Sequence, residues 1–199
     1  MTDDVIGILL AAGHSRRFGA QNKLMQQLPD GMRIAASSAR HLTEALPFCI
    51  GVVRPQDEAL QADLQAAGLR LAVCAEGNLE MAASLVTGVR QACALYPDAR
   101  GFVIALADMP YIRPQTILEV GRRIAQGRGI VVPVFAGRRG HPVGFSMRFA
   151  ADLLALEGDT GARKVLENHP AELMLLECED PGVLMDIDTP WDLGAMPGT

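Results

Sequence analysis

Between residues 5 and 126, short apolar runs alternate with longer segments of helical period, and this alternation strongly restricts the fold. The apolar runs have the length and composition of strands buried on both faces, at residues 5–12, 48–53, 69–74 and 102–107. The segments between and after them place apolar residues at helical spacing, at 34–46, 56–67, 79–95 and 114–126. Because strands that alternate with amphipathic helices form right-handed crossovers, we predict a three-layer α/β fold with a mainly parallel, doubly wound (Rossmann-like) sheet.

The pattern changes after Gly129. Residues 130–135 and 142–146 are predicted to be extended, around a glycine-containing turn at 136–140. A helix is predicted at 160–168, late strands at 172–178 and 183–187, and a closing helix that starts at Thr189 and Pro190. Gly68 is the expected C-cap of the second helix and Asn78 the N-cap of the third. No repeat or Pro/Ser-rich linker interrupts the 199 residues, so we expect a single domain spanning residues 1–199.

The first strand leads into a basic, glycine-rich loop, L-A-A-G-H-S-R-R-F-G-A-Q-N-K at residues 10–23 (the 10–23 loop). A loop in this place lies at the carboxyl edge of a parallel sheet, where open α/β sheets bind their ligands. Gly13 and Gly19 allow tight turns whose N–H groups face an anion. Arg16, Arg17 and Lys23 add positive charge, so the loop favours a triphosphate ligand.

Spacing excludes two familiar phosphate-binding patterns in this loop. Gly13 and Gly19 are six residues apart, which does not fit G-x-G-x-x-G, and Gly19 is followed by Ala20 and Gln21 instead of the Lys-Ser of a P-loop. The alternative that stays open is a solvated turn with incidental arginines, because glycine-rich turns after strands are common.

An acidic residue, Asp108, follows the predicted strand at 102–107 and reaches the same sheet edge as the 10–23 loop. Beside a triphosphate, a carboxylate there suits Mg²⁺, which binds one or two carboxylates together with phosphate oxygens and water. The structural alternative is that Asp108 caps a turn before Pro110.

A second acidic pair, Asp186 and Asp188, ends a later apolar run. Residues two apart on an extended segment point to the same side, so both can face the site. We predict Asp186 as the second metal ligand, with Asp188 as the other candidate. Asp188 and Asp192 also have a structural reading, because Thr189 is the expected N-cap of the closing helix.

The overall charge excludes some partners. Lys and Arg total 18 against 23 Asp and Glu, a net charge of −5, which argues against nucleic-acid or anionic-membrane binding. The four cysteines form no C-x-x-C pair, so we expect free thiols in a reducing compartment and no zinc site. The acidic N-terminus is not a signal peptide, and no apolar stretch approaches the roughly 20 residues that cross a bilayer. A cytoplasmic location is expected.

Six motifs in order along the chain carry a family resemblance. Beside the 10–23 loop these are M-A-A-S-L at 81–85, L-A-D-M-P at 106–110, G-R-R-G-H-P-V-G-F at 137–145, G-D-T-G-A-R at 158–163 and D-I-D-T-P-W-D-L at 186–193. The set resembles the molybdenum cofactor cytidylyltransferase branch of the nucleotidyltransferases. The resemblance implies a sheet of the nucleotidyltransferase type, with a nucleotide-binding part at about 1–110 and an acceptor-binding part at about 111–199.

The resemblance also assigns site residues. It implies catalytic roles for Arg16, Lys23 and Asp108. The nucleotide-binding residues that it implies are Leu10, Ala11, Ala12, Gly13, Ser15, Arg16, Gly19, Lys23, Ser84 and Asp108. On the acceptor side it implies Gly140, His141, Pro142, Asp159 and Gly161, and for the metal Asp108, Asp186 and Asp188. For His141, a hydrogen-bonding or turn role is more typical than acid–base catalysis, which needs a transferable proton within reach.

The activity that the resemblance implies is transfer of a nucleotide from an NTP to a pterin-phosphate acceptor, with Mg²⁺ as cofactor or Mn²⁺ in its place. Ala12 favours CTP over GTP, because the guanylyl branch usually has Gly there. A molybdoenzyme is a further expected partner. Other acceptors, such as a sugar or polyol phosphate, stay open, as does a non-catalytic nucleotide-binding maturation factor. Glu80 and the stretch at 26–33 depart from the family pattern.

Overall fold

The computed structural model describes residues 4–13, 22–75, 81–158, 161–189 and 191–192. Within them the central element is an eight-stranded sheet. Its strands are β1 (Val5–Leu10), β2 (Cys49–Val53), β3 (Arg70–Val73), β4 (Gly101–Leu106), β5 (Ile130–Phe135), β6 (Arg138–Arg139), β7 (Val143–Ser146) and β8 (Leu173–Glu177).

The sheet is mainly parallel, as the alternating sequence pattern predicts. β1 pairs in parallel with β2 and β4, β2 with β3, and β5 with β8. β7 runs antiparallel between β4 and β5, which gives the order β3-β2-β1-β4-β7-β5. β6 also pairs antiparallel with β5, through Val134 with Arg139 and Phe135 with Arg138. β6 and β7 are therefore two parts of one arm that returns along β5, separated by residues 140–142.

In the described part of the chain, six helices cover the two faces of the sheet, and the predicted three-layer fold is confirmed. They are α1 (Ile34–Ala45), α2 (Glu58–Ala66), α3 (Met81–Leu95), α4 (Pro114–Ala125), α5 (Ala150–Leu154) and α6 (Arg163–Asn168). Buried residues of α1, α2 and α4 form one core with one face of the sheet. Buried residues of α3, α5 and α6 form a second core with the opposite face.

Strand alternation divides the side chains of β1 and β4 between these cores. Leu9 and Val103 point into the first core, while Ile8 and Ile104 point into the second. Strands apolar on both faces are what a sheet between two helical layers requires. Gly88 of α3 lies where an added Cβ would come within 2.8 Å of side chains of β1 and β2, so its lack of a side chain permits close helix–sheet packing.

The four predicted strands and four predicted helices before residue 127 all occur, with ends shifted by up to two residues in the described part. Gly68 has a φ of +92° and its N–H bonds to the Gln65 carbonyl, which confirms the predicted glycine C-cap. The predicted N-cap Asn78 lies outside the described residues, as does most of the predicted closing helix. The short helix α5 was not predicted. Among the described residues, none of the helices is long and apolar enough to span a bilayer.

The predicted strand at 183–187 is wrong. A 3-10 helix (Pro181–Leu184) begins the segment, because Pro181 follows Asp180, whose carboxylate accepts the N–H of Gly182 at 3.0 Å. The segment then makes separate backbone bonds to two parts of the fold. Val183 O accepts from His141 N at 2.9 Å, and Ile187 N donates to Asp108 O at 2.9 Å. Residues 181–188 therefore cross the carboxyl ends of the strands.

Candidate nucleotide and metal site

The 10–23 loop and Asp108 start side by side at the carboxyl edge of the sheet. β1 and β4 are adjacent and parallel, with Leu10 opposite Leu106. Ala107 N donates a hydrogen bond to Leu10 O at 3.1 Å, so the two segments stay paired one residue beyond the end of β4. Ala11 and Ala12 are buried, whereas Gly13 is exposed. The loop thus leaves the core at Gly13.

Lys23 comes back to this edge on a short 3-10 helix (Lys23–Met25). Asn22 caps that helix, since its side-chain oxygen accepts the N–H of Leu24 at 3.0 Å. The ammonium group of Lys23 lies 2.7 Å from Asp108 Oδ2 and 3.1 Å from Asp188 Oδ1. The structure therefore joins three residues that the sequence places 85 and 80 positions apart.

Two effects act on the pKa of Lys23. Burial lowers it, but the charges and hydrogen bonds of Asp108 and Asp188 outweigh burial, and the pKa is raised above its ordinary value. Lys23 is consequently a fixed positive charge at neutral pH. A partly buried ammonium of this kind attracts phosphate oxygens as well as carboxylates.

The backbone at Asp188 and Thr189 is fixed by hydrogen bonds to the carboxylate of Asp192. Asp192 Oδ2 accepts hydrogen bonds from the backbone N–H groups of Asp188 and Thr189, at 3.0 and 2.7 Å, and from the Thr189 hydroxyl at 2.9 Å. These bonds lower the pKa of Asp192. The contact from Asp192 back to Thr189 is the arrangement expected where Thr189 caps a helix start. Asp192 thus positions Asp188.

The donor set fits a divalent cation beside a polyphosphate. Asp108 and Asp188 direct one carboxylate oxygen each at the same positive group, the Lys23 ammonium. Among the described residues, no cluster of three or more His, Cys, Asp or Glu side chains is arranged to hold a metal. An ion at Asp108 and Asp188 would complete its coordination with phosphate oxygens and water, which is the set that Mg²⁺ prefers.

His141 lies next to this acidic group. The His141–Pro142 bond is cis, and Gly140 packs so closely that an added Cβ would lie 2.3 Å from Val183 O. Burial lowers the pKa of His141, while the charges of Asp108 and Asp186 partly oppose that shift. The imidazole is therefore neutral at pH 7. Its Nδ1 is buried and has no hydrogen-bond partner among the described residues.

The other predicted site residues fall into two groups. Ser84 is buried at the start of α3, 3.9 Å from the Cys74 thiol. Gly158 O accepts from Ala82 N at 3.1 Å, so Gly158 lies beside the same end of α3. Four predicted residues lie outside the described part of the chain, namely Ser15, Arg16, Gly19 and Asp159.

Two residues beside the 10–23 loop were not predicted from the sequence, Arg54 and Asp57. Arg54 follows β2 and donates from Nη2 to Gly13 O at 2.8 Å. Asp57 pairs with Arg54 at 3.3 Å and accepts from the Asn22 amide at 3.5 Å. The position of Arg54 in the sequence could have indicated a site residue. Arg54 directly follows β2, a parallel strand next to β1, just as Asp108 was predicted because it directly follows a strand.

Comparison with known proteins shows the family of this chain. The model of a family described as "MobA-like NTP transferase domain" matches residues 7–173. The chain belongs to this family. It is therefore a nucleotidyltransferase, with an NTP and a phosphorylated acceptor as its class of substrates.

Two kinds of relative support the assignment. The purine catabolism protein PucB of Bacillus subtilis (strain 168) is 33% identical over 196 residues, which cover 94% of this chain and 92% of PucB. A solved homologue of Mycobacterium tuberculosis Rv0371c, from Mycobacterium sp. strain JC1, superposes with a TM-score of 0.83 at 25% identity, over 96% of this chain and 94% of that one. Rv0371c of M. tuberculosis H37Rv in complex with manganese shares the fold, with a TM-score of 0.74 at 24% identity over 95% of each chain.

Proposed function

We propose that this MobA-like protein transfers CMP from CTP to the phosphate of molybdopterin or the molybdenum cofactor and releases pyrophosphate, with Mg²⁺ or Mn²⁺ as cofactor. The observation that carries the proposal is the convergence of Lys23, Asp108 and Asp188 at the end of β1 and β4. The 10–23 loop begins at the same edge, which supports a triphosphate there.

The reaction needs no covalent enzyme intermediate. An oxygen of the acceptor phosphate forms a bond to the α-phosphorus of CTP, and the bond from that phosphorus to the pyrophosphate oxygen breaks, so the electron pair leaves with pyrophosphate. When bound, the divalent ion neutralises charge that develops on the phosphate oxygens. Lys23 and Arg16 hold the triphosphate, and Asp108 with Asp186 or Asp188 binds the ion. Positioning and charge stabilisation account for the catalysis.

The acceptor is proposed to bind near His141. Gly140, His141 and Pro142 form the bend between β6 and β7, and the neutral imidazole has a buried nitrogen with no partner in the described part of the chain. Such a group is suited to a hydrogen bond with the acceptor. Asp159 and Gly161 are proposed to bind the acceptor as well. The nucleotide part is then at about 1–110 and the acceptor part at about 111–199.

Two alternatives stay within the family, and a third lies outside catalysis. The nucleotide is GTP instead of CTP if Ala12 does not determine which base is bound. The acceptor is a sugar or polyol phosphate instead of the pterin if the bend at 140–142 can bind it. The chain would instead be a non-catalytic maturation factor of a molybdenum hydroxylase if it binds nucleotide without turnover. The likeness to PucB, a purine catabolism protein, directs the search for a recipient molybdoenzyme to enzymes that act on purines.

A nucleotide panel followed by a turnover assay tests the proposal. CTP, GTP, ATP and UTP are added separately with Mg²⁺ or Mn²⁺, and the melting temperature is measured, because a ligand that binds the native state raises it. We expect the largest rise with CTP, and pyrophosphate release on adding molybdopterin. Release with a sugar phosphate alone would change the acceptor. No rise with any nucleotide would contradict the proposal.

A further inference from the structure

We infer that Arg54, Asp57 and Asn22 form a loop anchor that joins the two ends of the 10–23 loop and so positions it for the triphosphate. The inference rests on the proposed function, because it assigns positioning residues for the nucleotide proposed to bind there. None of the three belongs to the predicted catalytic or metal set. Their contacts lie entirely within described residues.

The anchor begins at Gly13, the last described residue before position 22. Arg54 Nη2 donates to Gly13 O at 2.8 Å, and the arginine side chain is only 15% exposed although it carries a charge. A guanidinium fixed by a backbone carbonyl sets the direction in which the chain leaves β1. The exit of the loop is therefore tied to the end of β2.

Asp57 continues the anchor to the other end of the loop. Its Oδ2 lies 3.3 Å from Arg54 Nε, and its Oδ1 accepts from Asn22 Nδ2 at 3.5 Å. Asn22 in turn caps the 3-10 helix that carries Lys23. One carboxylate thus links the arginine at Gly13 to the amide that sets the start of the Lys23 turn.

The anchor has a rigid base. Gln61 of α2 donates to the carbonyls of Arg54 and Pro55, at 2.8 and 3.1 Å. The backbone of Arg54 and Pro55 is thereby fixed by α2, and Leu60 and Leu64 of that helix are buried in the first core. The packed helix α2 therefore fixes the position of the loop anchor, and the anchor fixes the ends of the loop.

The physical benefit is preorganisation. Residues 14–21 connect Gly13 to Asn22. A loop whose two ends are already fixed loses less conformational entropy when it binds a ligand, so binding is tighter. It also places Lys23 next to the phosphates before the nucleotide arrives, which favours a productive geometry.

The test compares Arg54→Met and Asp57→Ala with Arg33→Met. Arg33 forms a similar pair with Asp63, at 3.0 and 2.8 Å, and in the described part of the chain it has no hydrogen bond to Gly13 or Asn22, so it serves as the control. Hydrogen exchange of residues 11–13 and 22–25 is measured without nucleotide, and Kd values for CTP and GTP with Mg²⁺ are measured by calorimetry. We expect faster exchange and about a tenfold weaker Kd in the first two variants, equivalent to about 1.4 kcal/mol, and no change in Arg33→Met. Arg54→Lys keeps a donor and should restore part of the binding.

The sign of the Asp57 effect separates positioning from direct contact. If Asp57 only faced the nucleotide, its removal would relieve repulsion and tighten binding, which would overturn the inference. Unchanged hydrogen exchange and an unchanged Kd in Arg54→Met would also overturn the inference. A lower melting temperature of Arg54→Met without a change in Kd would overturn it too. If the wild-type chain binds none of the nucleotides, the proposed function fails, while the exchange measurement still tests the anchor.

Discussion

At the scale of single residues, the candidate site consists of one positive side chain, Lys23, between two negative ones, Asp108 and Asp188. Lys23 is mostly buried, with a side chain 13% exposed, and the carboxylates of Asp108 and Asp188 favour its charged form. The same carboxylates are the proposed ligands of a divalent ion. A nucleotide with its metal would thus give each group a new partner of opposite charge, phosphate for Lys23 and metal for the aspartates.

Replacing Asp108 by Asn tests this arrangement of charges. The amide keeps the shape but removes the negative charge, so we expect kcat for pyrophosphate release to fall on the order of a hundredfold or more. The melting transition should stay cooperative, because Asp108 follows β4 and is outside the core. Asp63→Asn, which alters the partly buried partner of Arg33, is the control and should keep full activity. Normal turnover in Asp108→Asn would remove Asp108 from the metal site.

His41 on α1 predicts a pH dependence of stability. Burial lowers the pKa of His41 and the charge of Arg40 lowers it further, against the opposing effects of Glu44 and of the Ile112 and Pro110 carbonyls. Since the unfolded chain titrates near pH 6.5, it binds more protons than the folded one just below that pH. Stability is therefore complete above about pH 6.5 and declines as the pH falls below it.

Urea unfolding at several pH values between 7.5 and 5.5 measures this dependence. His141 also has a lowered pKa and contributes in the same direction. The comparison is therefore between the wild type and His41→Gln, whose free energy of unfolding should fall less over the same range. Identical pH profiles of the two proteins would show that His41 does not contribute.

At the scale of elements, the segment 181–188 decides how the site is completed. Asp180, only 2% exposed, fixes its start. The carboxylate accepts hydrogen bonds from the Arg113 N–H, the Thr116 hydroxyl and the Gly182 N–H, at 2.9, 2.7 and 3.0 Å. It thereby ties the N-terminus of α4 to the segment that delivers Asp188.

Asp180→Asn should weaken both the fold and the site. An amide cannot accept at both ends, so a buried donor is left unpaired, which costs about 1–3 kcal/mol. We expect a lower free energy of unfolding in urea and a lower kcat, because Asp188 is less well positioned. Glu179→Gln, at the exposed neighbouring position, is the control and should change neither. Full stability with full activity in Asp180→Asn would contradict this role.

At the scale of the whole molecule, two cores enclose a sheet whose strands are buried on both faces. Cys49 of β2 lies in the first core, with its thiol 3.4 Å from Leu46 O. Burial raises the pKa of Cys49 to about 12, although a hydrogen bond from the Gly7 backbone opposes the shift. A thiol in this state is protonated and protected in the folded protein.

Thiol alkylation should therefore report global unfolding. At pH 8 a thiol of pKa about 12 is thiolate in about one molecule in ten thousand, so we expect iodoacetamide to modify Cys49 far more slowly than the less buried Cys178. Urea should accelerate the modification of Cys49 in parallel with loss of secondary structure. Equal rates for the two cysteines in the native protein, read by mass spectrometry, would contradict the buried position.

The particular elements show where sequence reasoning succeeded and failed. The runs of β1 and β4 were predicted because a strand buried on both faces has a local signature, and Asp108 was placed by its position after β4. The arm that inserts β7 between β4 and β5 left no such signature, since its pairing depends on residues far away in the chain. The alternation of apolar residues at 183–187 led to the wrong prediction of a strand, because Val183 and Ile187 are buried without belonging to the sheet.

The sequence by itself determined the α/β fold, the family and the sheet edge at which the candidate site lies. These follow from local patterns, namely buried runs, helical spacing and the residues that end each strand. Only the tertiary structure decided that Lys23 meets Asp108 and Asp188, and that Arg54 and Asp57 join the ends of the 10–23 loop. The choice of Asp186 over Asp188 as metal ligand stays a prediction. These contacts depend on how distant segments are brought together by packing, and a linear sequence has no local signal for them.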